Sequence, residues 1–97
     1  MGFRPLREGS NEAKKGKGAL KAKNTSQELA AENENRVALE LVNDGANKVW
    51  IAYGKTAAAE EGIPLSPEGG SKVIENYSGV VSVITKSGES LVGFIEI

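Results

Sequence analysis

The side chains that could perform chemistry in this 97-residue chain are carboxylates, hydroxyls and amines, because the sequence contains no His and no Cys. It therefore lacks the residue most often used as a general base and the most nucleophilic side chain. Glu60 and Glu61 form an adjacent carboxylate pair, but acid–base catalysis needs two carboxyl groups that converge on one substrate from a rigid scaffold. We interpret the pair as a solvated acidic loop and predict that the protein is not an enzyme.

The sequence indicates no cofactor and no metal site. Zinc sites of the usual kind need Cys or His ligands, and the carboxylates of Asp44, Glu60 and Glu61 lack the spacing of a calcium-binding loop. The run Gly69-Gly70-Ser71-Lys72 lacks the earlier glycine and the following helix of a phosphate-binding loop. We interpret this run as a turn and expect no bound cofactor.

Positive charge is concentrated at the N-terminus of the chain. Residues 1–23 carry seven Lys or Arg against Glu8 and Glu12, a net charge of +5, whereas residues 24–97 sum to −6. The overall net charge of −1 therefore conceals two parts of opposite sign, which indicates that they have different roles.

The basic part is predicted to be a flexible arm that spans residues 1–35. Between residues 9 and 23 Leu20 is the one large apolar side chain, too little burial to offset the entropy of ordering the backbone. The tip of the arm alternates apolar and cationic residues and could anchor in a groove of a partner, the alternative being a frayed terminus. The residues predicted to bind a partner are Phe3, Arg4, Leu6, Arg7, Lys14, Lys15 and Lys17.

A short helical segment is predicted near residues 26–32, where the arm approaches the body. Thr25 is followed three residues later by Glu28, which fits a helix N-cap, and good helix formers continue the segment. Because an isolated helix needs about 12 residues in water, this segment is expected to be helical only when it packs against something.

Residues 36–97 are predicted to form the body, an all-β domain built as a small antiparallel sandwich or barrel of five or six strands. Alternating apolar residues predict that residues 36–43 and 48–53 pair as a hairpin. Residues 54–70, with two prolines, predict a long surface excursion without a strand. Residues 71–75 predict a short third strand.

The last part of the body predicts a second hairpin, in which residues 79–86 and 89–97 pair across the two-residue loop Ser87-Gly88. Both faces of this hairpin would be apolar, so we expect it to lie between two sheets or to be covered by another subunit. A body of about 60 residues is also marginally stable alone, and disulfides are excluded. The candidate oligomer-interface residues are Trp50, Val81, Val83, Val92 and Phe94.

A membrane and a nucleic acid are the two other classes of partner that the sequence could indicate. No apolar run is long enough to span a membrane, so we predict no membrane partner. Seven cations on the arm could neutralise nucleic-acid phosphates, but the body offers no basic face, and aromatic residues for base stacking are missing from the arm apart from Phe3. Nucleic acid is therefore the weaker prediction.

Four segments of the body, taken in order, resemble small β-domains of tailed-bacteriophage virion proteins. They are Val49-Trp50-Ile51-Ala52-Tyr53-Gly54, Thr56-Ala57-Ala58-Ala59, Gly62-Ile63-Pro64-Leu65-Ser66-Pro67 and Tyr77-Ser78-Gly79. In size and layout the chain is most similar to head decoration, or cement, proteins.

The resemblance implies a structural protein of the virion, made in the host cytoplasm and placed on the outer head surface. It implies that the body forms a homo-oligomer, with a trimer favoured, and that the arm binds the major capsid protein across neighbouring subunits. The alternatives are a tail or neck adaptor of the phage, or a nucleic-acid-associated protein that uses its basic arm.

Overall fold

The computed structural model describes residues 17–97, which form eight β-strands and contain no helix. An all-β body was predicted and is confirmed, although the number of strands is eight rather than five or six. The strands are β1 (Lys17–Ala22), β2 (Gln27–Ala30), β3 (Ala38–Asn43), β4 (Val49–Tyr53), β5 (Ile63–Leu65), β6 (Gly70–Glu75), β7 (Val81–Thr85) and β8 (Ser90–Glu96).

The strands form two four-stranded antiparallel sheets that pack face to face as a sandwich. Sheet A has the order β1-β8-β3-β6, and sheet B has the order β2-β7-β4-β5. Consecutive strands lie in opposite sheets everywhere except for β4 and β5, which are neighbours in sheet B. This order of eight strands is the topology of a jelly roll.

The core lies between the two sheets and is built from the alternate residues of each strand that point inwards. Its largest fully buried side chains are aliphatic and come from both sheets, among them Leu39, Leu41, Ile51 and Ile74. Each residue on the inner side alternates with one that faces outwards, as in the buried–exposed pattern of β6. The period-2 pattern that predicted strands therefore also decides which side chains fill the core.

Two strands replace the segment that was predicted to be arm and helix. Residues 17–22 form β1, which pairs along its whole length with β8 and places Leu20 opposite Val92. The predicted helix is wrong, because Gln27–Ala30 pairs with β7 as strand β2. A register shift in β2 allows the neighbouring Leu29 and Ala30 both to be buried. Local helix signals are weak compared with such burial, and the β-body therefore begins at residue 17 rather than 36.

Neither of the two predicted hairpins forms. β3 pairs with β6 and β8, and β4 pairs with β5 and β7, so the turn after β3 crosses from one sheet to the other. In the same way β7 lies in sheet B and β8 in sheet A. Two apolar strands around a tight turn are compatible with a hairpin and with a connection between two sheets. Whether the two strands pair with each other depends on which other strands are available for pairing.

The excursion between β4 and β6 contains a strand that the sequence did not predict. Ile63–Leu65 forms β5, which pairs only with β4 and is therefore an edge strand. Pro64 lies in the middle of it, as proline can at a sheet edge, where a missing backbone N–H costs no ladder bond. The predicted strands at residues 48–53 and 71–75 are confirmed as β4 and β6.

A buried arginine closes one end of the sandwich. The side chain of Arg36 is fully buried, and its Nε donates to the Glu96 carboxylate at 3.0 Å. Its two terminal nitrogens donate to the carbonyl oxygens of Ala31 at 2.7 Å, Tyr77 at 3.1 Å and Gly79 at 3.0 Å. One guanidinium thus joins the β2–β3 connection, the β6–β7 connection and the last strand.

A buried asparagine performs the same task at the other end of β3. The amide nitrogen of Asn43 donates to the carbonyls of Asn47 at 2.8 Å and Leu65 at 3.1 Å. Its amide oxygen accepts hydrogen bonds from the Ser90 hydroxyl at 2.6 Å and from the Gly45 backbone N–H at 3.2 Å. Every hydrogen-bonding position of this buried amide is used, so the group is stabilising despite its polarity.

Replacing Arg36 by Met should destabilise the protein by about 3–5 kcal/mol, because the change leaves the Glu96 carboxylate and three carbonyls without their buried partner. Urea unfolding followed by tryptophan fluorescence measures the loss as a lower midpoint. Lys55→Met, which removes an exposed cation of the body, is the matched control and should leave the midpoint unchanged. A loss below about 1 kcal/mol for Arg36→Met would contradict the assigned role.

Candidate functional site

Six of the seven predicted partner-binding residues, Phe3, Arg4, Leu6, Arg7, Lys14 and Lys15, lie outside the described residues. The seventh, Lys17, begins β1 and is exposed. Since β1 is an edge strand of sheet A, the basic N-terminal residues join the body at that edge.

The predicted oligomer-interface residues lie mostly inside a single copy of the chain. Val81, Val83 and Val92 are fully buried in the core between the sheets, so they are unavailable to a second copy in this conformation. Trp50 is also buried, on the outer side of sheet B with Ile84. A single copy of the chain already buries these four side chains, the three valines between the sheets and Trp50 under the β4–β5 connection, so the structure of one copy does not support an interface at these positions.

The cover of sheet B is the connection between β4 and β5. Ala57 of this connection packs on Trp50 and Ile84, and its backbone N–H donates to the Ser26 hydroxyl at 2.8 Å. Near the start of the connection, the carbonyl of Gly54 accepts a hydrogen bond from Ser82 at 2.7 Å. The connection thus crosses the sheet from β4 to the start of β2 and shields its outer face from water.

The adjacent carboxylates of Glu60 and Glu61 lie on this same connection. Glu60 and Glu61 are both exposed, and Glu60 accepts a hydrogen bond from the Lys86 amine at 2.9 Å. That bond and the positive charge of Lys86 hold the pKa of Glu60 below its ordinary value, and the pKa of Lys86 lies above its own. Glu60 is thereby held as the ionised partner of a surface ion pair, which favours a structural interpretation of the two carboxylates.

Within residues 17–97 no connection covers the outer face of sheet A, and we call this surface the open face. Its side chains alternate with those of the core and lie in rows across the four strands. The members of the open face are Lys17, Ala19 and Lys21 from β1, Leu91, Gly93 and Ile95 from β8, Ala38, Glu40 and Val42 from β3, and Ser71, Val73 and Glu75 from β6.

The open face exposes large apolar side chains on a rigid sheet. Leu91, Ile95 and Val73 are each between 43% and 48% exposed. A groove of about 760 Å³ lies across β1, β8 and β3, and Ile95 is the one of these three residues that lines it. Exposed apolar side chains beside a groove are a feature of sites where another molecule packs.

Gly93 lies at the centre of the groove and leaves room for an incoming side chain. A Cβ atom at this position would meet only the carbonyl oxygen of Gly18, 4.0 Å away. The pairing of β8 with β1 and β3 continues through Gly93 without a register shift, so the residue is not needed for a bulge. A glycine inside a regular strand weakens the strand and often marks the close approach of another backbone or a ligand.

Charges on the open face are separated by strand. The β1 edge contributes Lys17 and Lys21, whereas the acidic members of the face, Glu40 and Glu75, lie on β3 and β6. Lys17, Ile95, Glu40 and Val73 occupy one continuous row across the sheet. The apolar groove is therefore bordered by positive charge on one side and negative charge on the other.

Phe94 is the one predicted interface residue that lines the groove, although its place between Gly93 and Ile95 puts it on the inner side of sheet A. It is half-buried, packs against the core and also lines the groove. The open face itself was missed because β8 was assigned to a hairpin with β7 rather than to a sheet with β1 and β3. The signal that could have found it is Leu91-x-Gly93-x-Ile95, an alternation of large apolar residues interrupted by a glycine.

Gly93→Ala should leave stability unchanged or raise it by up to about 1 kcal/mol, because the added methyl group meets open space and the unfolded chain loses freedom. Gly45→Ala is the matched contrast and should cost about 1–3 kcal/mol, since a Cβ there would lie 2.5 Å from the Leu91 backbone nitrogen and against Ser90. Urea unfolding of both variants measures the difference. Equal losses would contradict the open space assigned at Gly93.

Within residues 17–97 no helix could cross a membrane, and no group of three or more potential metal-ligating side chains occurs in that part of the chain. Comparison of the chain with family models, with curated proteins and with solved structures found no match.

Proposed function

We propose that the protein is a non-enzymatic structural protein of a tailed-bacteriophage virion and acts as a decoration protein of the head. Its N-terminal basic segment binds the major capsid protein on the outer shell, and its body associates with other copies. The observation that carries this proposal is the open face, a rigid and partly apolar surface whose edge strand is continuous with the basic segment.

The two adhesive parts are supported by their arrangement in the chain. Residues 1–16 carry four Lys or Arg and two Glu, and they continue directly into β1 at the edge of the open face. A protein held by this segment keeps its open face close to the same surface. Two weak contacts that are linked in this way act together, because the first raises the effective concentration of the second.

The topology gives further support. Viral capsid domains use the eight-stranded jelly roll, as do lectins and cupins, so the fold is compatible with a virion protein without selecting it. Three of the four segments that carry the resemblance to phage β-domains lie in β4, β5 and the connections beside them, and the fourth, Tyr77-Ser78-Gly79, lies between β6 and β7. All four are distinct from the open face.

Replacing Arg4, Arg7, Lys14 and Lys15 together by Gln should weaken binding to DNA-free heads of the host phage by about tenfold or more, since each lost surface ion pair contributes up to about 1 kcal/mol. Co-sedimentation of the full-length protein with heads that lack it measures the effect. The body should remain folded, because these positions precede β1. The whole segment up to residue 23 is unsuitable for deletion, since that would remove β1.

The matched control replaces four exposed cations of the body, Lys23, Lys48, Lys55 and Lys86, by Gln, which changes the net charge equally. This control should bind heads as the wild type does. Equal binding by the arm variant would refute the role of the basic segment. Binding to phage DNA but not to DNA-free heads would instead favour a nucleic-acid partner.

A further inference from the structure

We propose that the apolar end of the N-terminal segment, residues 1–6, packs into the groove of the open face of its own chain, with Phe3 and Leu6 over Gly93. This inference deepens the proposed function, on which its role in the virion rests. The contact itself can be measured with the protein alone.

The apolar residues of this segment are grouped at its far end. Met1, Phe3 and Leu6 are its large apolar residues. The ten residues from 7 to 16 contain no large apolar side chain and form a polar linker to β1. On the body, Ile95 lines the groove and is nearly half exposed. Apolar surface on both parts is stabilised when it leaves water, so the two parts are favoured to pack together.

The linker is attached at the edge of the groove. Lys17, the first residue after the linker, lines the groove together with Gly18 and Ala19 of the same strand. Gly93, in the middle of the groove, pairs with Ala19 from the neighbouring strand. A strand spacing of about 4.8 Å and a rise of about 3.3 Å for each residue place Gly93 roughly 8 Å from Lys17. Gly16 directly precedes β1, and glycine permits the backbone reversal that carries the linker back over the sheet.

The length of the linker selects the chain's own segment over a second copy. A flexible linker of ten residues spans roughly 16–19 Å on average, which is enough to reach Gly93 from the edge of the sheet. A group attached by a linker of this length is present at its site at an effective concentration on the order of millimolar. A second copy would have to reach a similar concentration in solution to occupy the groove as often.

The charges beside the groove are compatible with this occupant. Arg4 and Arg7 directly follow Phe3 and Leu6 in the sequence. A chain that enters over β1 and runs across β8 carries its first residues towards β3, where the exposed carboxylate of Glu40 lines the groove. The lysines of β1 border the opposite side. Exposed ion pairs contribute little, so apolar burial and the linker are the main terms.

The contact connects the two adhesive parts of the proposed function. While residues 1–6 lie in the groove, they cover apolar surface around Ile95. A shell that binds the segment withdraws it from the groove and uncovers this surface where the body is to pack. Copies that are free in solution keep the surface covered, which opposes association away from the shell.

Spin labelling of the full-length protein tests the contact. The chain has no Cys, so Gly2→Cys supplies a single attachment site in the apolar end of the segment. The backbone amide signals of Gly93 and Val42, which are neighbours in the open face, should be broadened by the label in NMR spectra. The signals of Ala52 and Ile63 in sheet B should not be broadened.

The matched control keeps the label and the linker but replaces Phe3 and Leu6 by Ser. The broadening at Gly93 should fall by about fivefold or more, because apolar burial is lost at both positions. Gly93→Gln should fold normally, since the position has open space, and should reduce the broadening at Val42 by filling the groove. Equal broadening in the labelled parent and in both variants would overturn the proposal, because the linker alone would then account for it.

A mixed sample separates the chain's own segment from that of a second copy. It combines isotope-labelled protein without the spin label and spin-labelled protein without the isotope. At about 0.1 mM, below the effective concentration that the linker gives, this mixture should show no broadening at Gly93. Broadening there as strong as in the singly labelled protein would overturn the proposal in favour of a second copy, and its absence from both samples would overturn the contact altogether.

The outcomes for this contact and for the proposed function are independent. Broadening at Gly93 in a protein that does not bind heads would overturn the proposed function and leave this inference standing. Head binding by a protein that shows no such broadening would overturn this inference alone.

Discussion

The buried guanidinium of Arg36 is the interaction on which the arrangement of the sandwich depends. Nearly all connections in this fold cross from one sheet to the other, so few strand pairs are held together by a tight turn. Arg36 compensates at one end by binding Glu96 and the carbonyls of two crossing connections. A buried cation needs well-placed acceptors to offset the loss of its hydration, and this requirement fixes the positions of the two connections relative to the last strand.

Asn43 repeats the principle at the opposite end of the same strand. Arg36 lies two residues before β3, and Asn43 is the last residue of β3. The two polar centres that close the sandwich therefore lie at opposite ends of one strand, with the aliphatic core between them. The centre around Asn43 also requires close approach of the following turn, where Gly45 packs against Ser90 and Leu91. The ends of the fold are thus specified by directed hydrogen bonds, while its middle is specified by non-directional apolar burial.

The contrast between the two outer faces connects this architecture to function. A long connection can cover only the sheet that it adjoins, and the β4–β5 connection covers sheet B. Sheet A has no such cover among the described residues, and its central strand carries Gly93 between two exposed apolar side chains. The basic N-terminal residues enter at the edge of this same sheet. The exposed apolar side chains and the junction with the basic segment therefore lie on the same sheet, and this arrangement supports the proposed binding to a surface.

The sequence by itself determined the all-β class, the positions of β3, β4, β6, β7 and β8, and the separation of basic from acidic segments, because period-2 alternation and net charge are local properties. It also contained a false helix signal at Thr25 and Glu28, which pairing of β2 with β7 overrode. Tertiary structure alone decided that β7 and β8 belong to different sheets, that β1 joins the body, and that Trp50 is covered by Ala57. The physical reason is that the order of residues within a strand specifies which of its sides is apolar. Its neighbouring strands and the segment that covers each side depend instead on contacts between residues far apart in the chain.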